Sequence, residues 1–248
     1  SAVYYYQKAL IDDPKQASSY YNFGNFYKDQ EKYDMAIQMY EQAIDLDPNL
    51  SSAYNNLAVV YSEKKELQLA IKSALKAAEI EPNDYGNNAL LADLYFEIKD
   101  YKNTIKYATS ALQLDKKGYF TTKLFEIRAL SRQFLEEYNN AIADYLDMLE
   151  NASDEFKKEN SSIYSNIGYC YLEQNELENA MIYFNTSLKY NNEIDTLIGL
   201  FTVHYLMKNT VEFKNIYSKA LKTEPKLKAG MKGINQLENE GYFYTKKH

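Results

Sequence analysis

From Ala17 to Pro48 the apolar side chains return at helical spacing. Tyr20, Phe23, Gly24 and Tyr27 fall at i, i+3, i+4 and i+7, which puts them on one face of a helix. A polar stretch from Asp29 to Lys32 interrupts the pattern. Tyr33, Ala36, Ile37, Tyr40, Ala43 and Ile44 then build a second apolar face. Asp47-Pro48 ends that helix, because proline disfavours the helical region for the residue before it. Tyr54, Leu57, Ala58, Tyr61, Ala70, Ala77 and Pro82 repeat Tyr20, Phe23, Gly24, Tyr27, Ala36, Ala43 and Pro48 at an interval of 34 residues. The small residues Gly24 and Ala36 belong where two antiparallel helices cross, since a bulky side chain there would force the axes apart.

A helix-turn-helix of this period, with large, large-small, aromatic, small, aromatic, small and proline positions in that order, resembles the tetratricopeptide repeat. The resemblance implies an all-α, right-handed α-solenoid (superhelix) of antiparallel helix pairs, with about six repeat units and a C-terminal capping helix. The expected units are 17–50, 51–84, 85–118, 122–155, 161–193 and 194–227. Unit 51–84 departs from the pattern only at Ala74, where an aromatic is usual. Unit 85–118 keeps Leu91-Ala92, Tyr95 and Ala111 but has Asn88, Thr104 and Lys116 at the large, small and proline positions. Unit 122–155 has Phe125, Ala129, Ala141 and Tyr145, with Arg128 and Arg132 where apolar residues belong. The insertion FKKEN leads to unit 161–193, which has Tyr164, Ile167-Gly168, Tyr171, Ala180 and Phe184. Unit 194–227 is degenerate, with Phe201 and Phe213 in place of the small pair.

Residues 1–16, through Ala2, Tyr6, Ala9 and Pro14, match the second helix of a unit whose first helix is absent. Its apolar face is expected to need covering, and self-association through it is one outcome. Leu227, Met231, Ile234 and Leu237 form an apolar stripe that predicts the capping helix at 228–240, followed by a tail at 241–248.

Composition narrows the function. The 248 residues carry a formal charge of −7, which disfavours general nucleic-acid binding. The last 30 residues, with seven Lys against three Glu, are a local exception. No window of about 18 uninterrupted apolar residues occurs, so no membrane span is expected. A single cysteine, Cys170, fits a reducing compartment and a cytoplasmic location, with the periplasm as the alternative. His204 and His248 are the only histidines. His204 takes the place of Tyr27, Tyr61, Tyr95 and Tyr171, so it reads as a packing residue, and Cys170 reads as a core thiol. GMKG, at Gly230 to Gly233, reads as a helix irregularity. Neither a zinc motif nor a phosphate or dinucleotide loop is present, so the expectation is a non-enzymatic protein with no cofactor and no metal.

What remains is surface. In the repeat architecture the first helices line a concave groove, and the positions between core residues point into it. Those positions hold Tyr21, Asn22, Asn25, Asn55, Asn56, Asp93, Asn166 and Tyr169. An amide side chain offers donors and an acceptor, so it can pair with a peptide's own N–H and C=O. Asn22, Asn56 and Asn166 occupy one equivalent position, with Leu90 and Ile127 as gaps. This interrupted ladder is similar to that of the superhelical repeat region of O-GlcNAc transferases. Asp29, Glu63, Glu97 and Glu173 form a second row, expected to act as an acidic rim that favours basic partners. The family's co-chaperones bind a C-terminal carboxylate with two asparagines and several cations. Asn25 and Asn56 match the amides, but Tyr21, Gly86 and Leu90 stand at the cationic positions, so that activity is not expected. The leading expectation is a scaffold or adaptor that binds an extended peptide or a partner helix in the groove. The alternatives are a substrate-targeting region of a larger glycosyltransferase-like enzyme and an assembly subunit of a bacterial secretion or pilus system.

Overall fold

The structure, a computed structural model, describes residues 2–114, 121–150, 152–191 and 193–223. Among these residues there are fourteen α-helices and no strand. The capping helix expected at 228–240, the tail at 241–248, GMKG and the basic C-terminal stretch beyond residue 223 lie outside the described residues.

Two compact units divide the chain. The first, to Ser131, contains α1 (Ala2–Asp12), α2 (Ala17–Asp29), α3 (Tyr33–Leu46), α4 (Ser51–Glu63), α5 (Leu67–Ile80), α6 (Tyr85–Glu97), α7 (Tyr101–Leu114) and most of α8 (Thr121–Phe134). The second, from Arg132, contains the last turn of α8, then α9 (Tyr138–Glu150), α10 (Asp154–Glu159), α11 (Ser162–Glu173), α12 (Leu177–Tyr190), α13 (Ile194–Leu206) and α14 (Thr210–Thr223). In the first unit α2 packs on α3, α4 on α5 and α6 on α7, and each pair stacks on the next through α3–α4 and α5–α6. In the second unit α11–α12 and α13–α14 pair in the same way, and α9 packs on α11.

One turn recurs between the helices of a pair. Glu31, Lys65, Lys99, Glu136, Asn175 and Lys208 all have φ between 57° and 62°. At each turn the N–H one residue further on donates to a carbonyl five residues back, Lys32 to Tyr27, Glu66 to Tyr61, Asp100 to Tyr95, Glu137 to Arg132, Glu176 to Tyr171 and Asn209 to His204, at 2.8–2.9 Å. This six-to-one bond satisfies an orphan carbonyl at the helix end and reverses the chain. Proline handles the other junction. Asp47 (φ −136°, ψ 92°) and Glu81 (φ −126°, ψ 79°) are extended before Pro48 and Pro82, where α3 and α5 stop. The first four residues of FKKEN lie in α10. Ser153 caps this helix by accepting the Phe156 N–H at 3.1 Å, with Asp154 and Glu155 in the first turn and Lys157 and Lys158 in the last.

In the α2–α3 and α11–α12 pairs a ring lies against glycine. A Cβ added at Gly24 would stand 2.6 Å from the Tyr40 ring, and one at Gly168 would stand 2.8 Å from Phe184, which also lies against Gly199. The degenerate positions are satisfied locally. Asn88 is buried and donates to the Pro82 and Asp84 carbonyls at 3.0 and 2.7 Å, and Thr104 donates to the Asp100 carbonyl at 3.0 Å. Arg128 lies over the Phe125 ring and donates to Thr109 Oγ1 at 3.1 Å.

A second register shows three chemistries doing one job. Tyr95 of α6 stacks on Tyr107 of α7, and Tyr171 of α11 on Tyr183 of α12, both at 5.5 Å between ring centroids. Arg132 and Asp144 replace such a pair with an ion pair at 2.7 Å, with the Asp144 side chain 2% exposed. His204 fills the first position of the register in α13. It is buried, its Nδ1 has no partner, and burial holds its pKa below the ordinary 6.5, with Glu212 opposing.

Three predictions follow the packing. A lysine in the left-handed region is strained, so Lys99→Gly should raise stability by about 0.5–1 kcal/mol and Lys99→Val should lower it, as read from denaturant midpoints. Arg132→Met should cost about 3–5 kcal/mol by breaking the ion pair of the buried Asp144 carboxylate, whereas the double variant Arg132→Tyr/Asp144→Tyr should recover most of that loss. Because folding depresses the pKa of His204, its contribution is complete above pH 6.5 and is lost as the pH falls toward the folded value. Urea unfolding should show that loss of stability in the native chain and its absence in His204→Phe.

Candidate functional site

The first helices of the first unit lie side by side, α2 against α4 and α4 against α6. In the second unit α11 lies against α13 in the same manner. Helical spacing carries Asn22, Asn25, Asn55, Asn56 and Asp93 on these first helices, away from the buried stripe of Phe23, Tyr27, Leu57, Ala58, Leu91 and Ala92.

The amides are not equivalent. Asn25 Oδ1 accepts from the Tyr40 hydroxyl at 2.8 Å and from Asn56 Nδ2 at 2.7 Å. Asn56 Nδ2 also donates to the Tyr21 hydroxyl oxygen at 3.2 Å. Burial raises the pKa of the Tyr40 phenol far above its ordinary value, with Tyr21 and Asp29 adding to the shift, so it is a neutral donor at any physiological pH. The four side chains link α2, α3 and α4 in one polar network. Within it both lone pairs of Asn25 Oδ1 are used, which leaves its two N–H donors for other partners. Asn56 uses its donors and keeps its carbonyl oxygen. The network therefore fixes which way each amide points.

Asn55 serves a different connection. Its Nδ2 donates to Asn87 Oδ1 at 2.8 Å, and the buried Asn87 donates onward to Ser51 Oγ at 3.1 Å and the Ala77 carbonyl at 3.2 Å. The second unit uses hydroxyls in the corresponding place, where Ser165, Ser187 and Thr196 lie within 2.6–3.1 Å of one another, all buried. Asp93 pairs with Lys123 of α8 at 2.6 Å, and Tyr169 donates to the Asp195 carbonyl at 2.5 Å. Asn22 is exposed and Asn166 half-buried, and neither makes a hydrogen bond among the described residues. Asn87 and Lys123 belong to these clusters but escape the sequence pattern, and Tyr40, read there only as an apolar-face residue, joins through its hydroxyl; each is reached through a neighbouring helix.

The acidic row is also divided. Glu97 pairs with Lys65 at 3.1 Å. Glu173 lies beside Tyr138, whose phenol is pushed up to about 12, first by burial and then by that carboxylate. Asp29 and Glu63 are exposed and form no ion pair among the described residues. Cys170 is fully buried, and burial pushes its thiol up to about 12, with Glu173 adding to the shift, so it sits in the core as a protonated thiol at neutral pH. No cluster of three or more metal-ligating side chains occurs among the described residues, and no described helix is long and apolar enough to cross a membrane.

Comparison with known proteins agrees with this architecture. Family profiles described as TPR repeat and tetratricopeptide repeat match residues 24–65, 5–38, 51–84 and 161–194. No curated protein sequence matches the chain. Among solved structures, YrrB, described as a TPR protein with an unusual peptide-binding site, is 18% identical with a TM-score of 0.69, over 77% of this chain and 95% of that one. Pseudomonas aeruginosa pilF is 16% identical with a TM-score of 0.62, over 92% and 98% of the two chains. PilW, described as a type IV pilus biogenesis factor, is 17% identical with a TM-score of 0.59, over 84% and 94%. At these identities the likeness is one of fold.

Proposed function

The chain belongs to the tetratricopeptide repeat family, which makes it a protein-interaction scaffold, and from that premise we propose that its layer of first helices receives an extended peptide. The observation that carries this reading is the Tyr21–Asn25–Tyr40–Asn56 network. It holds donors on Asn25 and an acceptor on Asn56 in fixed directions. A peptide backbone needs that combination, an acceptor for its N–H and donors for its C=O. Amides already held by their neighbours lose little freedom when a ligand arrives, so modest contacts yield useful affinity. Asn22, which makes no hydrogen bond among the described residues, extends the same recognition within the first unit. Such contacts read backbone conformation more than side-chain identity. The exposed carboxylates of Asp29 and Glu63 favour peptides with Lys or Arg outside the gripped segment, chiefly through encounter rate. YrrB, whose description includes a peptide-binding site, supports the reading as a precedent on a similar fold.

The reading is tested with binders selected from a library of short linear peptides and measured by calorimetry. Asn22→Ala removes no hydrogen bond found among the described residues, so it should leave stability within about 0.5 kcal/mol. It should still weaken peptide binding by about 0.5–1.5 kcal/mol. Unchanged affinity in it, or in the double variant that adds Asn56→Ala, would overturn the groove reading.

A further inference from the structure

The first unit carries a cleft of about 750 Å³. Its floor is α4, through Tyr54, Leu57 and Tyr61, with α3 forming one wall and α5 the other. At 3.6 residues per turn, Tyr54, Leu57 and Tyr61 lie on the side of α4 opposite Asn55 and Asn56. The cleft is therefore separate from the amide layer.

One small side chain opens it. In the register where Tyr107 stacks on Tyr95 and Tyr183 stacks on Tyr171, α5 carries Ser73, which lines the cleft with Tyr61. Tyr61 thus has no ring over it from its own pair. In the second unit, where Tyr183 is present, the depression in the corresponding place is about 500 Å³. The walls are apolar inside and charged at their edges. Leu69 and Leu75 of α5 are 43% and 37% exposed. Glu41 and Asp45 stand one turn apart on α3, and Lys72 and Lys76 one turn apart on α5. Lys76 is paired with Glu79 at 2.9 Å, whereas Glu41, Asp45 and Lys72 form no ion pair among the described residues.

We propose that this cleft docks an amphipathic helix of a partner protein, which lays one aromatic side chain over Tyr61. Lys or Arg on one flank of that helix meets Glu41 and Asp45, and Asp or Glu on the other flank meets Lys72. A helix fits because its apolar stripe is bordered by charges on both sides. A strand sends successive side chains to opposite faces, so neighbouring positions cannot reach the floor and both walls together. The inserted ring would take the place that a tyrosine of the chain fills in other repeats.

The probe is a synthetic amphipathic helical peptide of about four turns, with a phenylalanine centred in a leucine stripe, lysines along one edge and glutamates along the other. Fluorescence anisotropy on the full chain should show saturable binding. Changing that phenylalanine to alanine, or placing glutamates on both edges, should weaken it at least about tenfold, the scale of one buried aromatic anchor. Ser73→Tyr fills the cleft as Tyr107 and Tyr183 do, so it should keep or raise the thermal midpoint while abolishing binding. Leu75→Glu, on the exposed wall, should also abolish binding, and it decides the matter if Ser73→Tyr fails to fold. Asn22→Ala should bind the peptide unchanged, which separates this site from the amide layer. Absence of binding to the native chain would overturn the proposal, as would equal binding by folded Ser73→Tyr or by Leu75→Glu.

Discussion

A single backbone hydrogen bond, from the first N–H beyond a left-handed residue to a carbonyl five positions earlier, closes each of six helix pairs among the described residues. It needs no particular side chain, since Glu, Lys and Asn all occupy the left-handed position. That tolerance explains how the architecture survives in units whose side chains have drifted. The bond reverses the chain within three residues, and the two helices then meet along their apolar stripes. All the chemistry described above is arranged on that hairpin.

Because the hairpin is the same each time, equivalent positions face equivalent neighbours, and different side chains answer the same packing demand. A stacked tyrosine pair, an arginine–aspartate pair and a lone histidine share one register. The ring pair gains contact area at little desolvation cost. The ion pair is worth little against such a ring pair, because both charges must leave water, but it is costly to break. Serine at Ser73 gives a fourth answer, in which the demand is not met within the chain and space is left over Tyr61. A small side chain in this register thus leaves a cleft where a ring would otherwise pack.

The amides show a similar division between structure and recognition. Asn55 and Asn56 tie successive first helices together, one through Asn87 and the other through Asn25 and Tyr21. These bonds orient the amide groups that remain free, so the arrangement that holds the repeats together also fixes the donors and the acceptor that the proposed peptide site would use. Asn22 and Asn166 make no such bond among the described residues.

The sequence by itself determined the helix pairs, the family and the buried stripes, because apolar spacing and the residue before proline act over a few positions of chain. It placed Gly24 and Gly168 in tight packing and His204 and Cys170 in the core for the same reason. Tertiary structure alone decided which polar groups are spent. Asp93 reaches Lys123, Glu97 reaches Lys65 and Asn55 reaches Asn87 across gaps of about thirty residues. A repeat position says which face a side chain is on, not whether a neighbouring helix holds its partner. Nor does the pattern show that Ser73 opens a cleft, since an absent ring matters only when the ring it would have covered is in view.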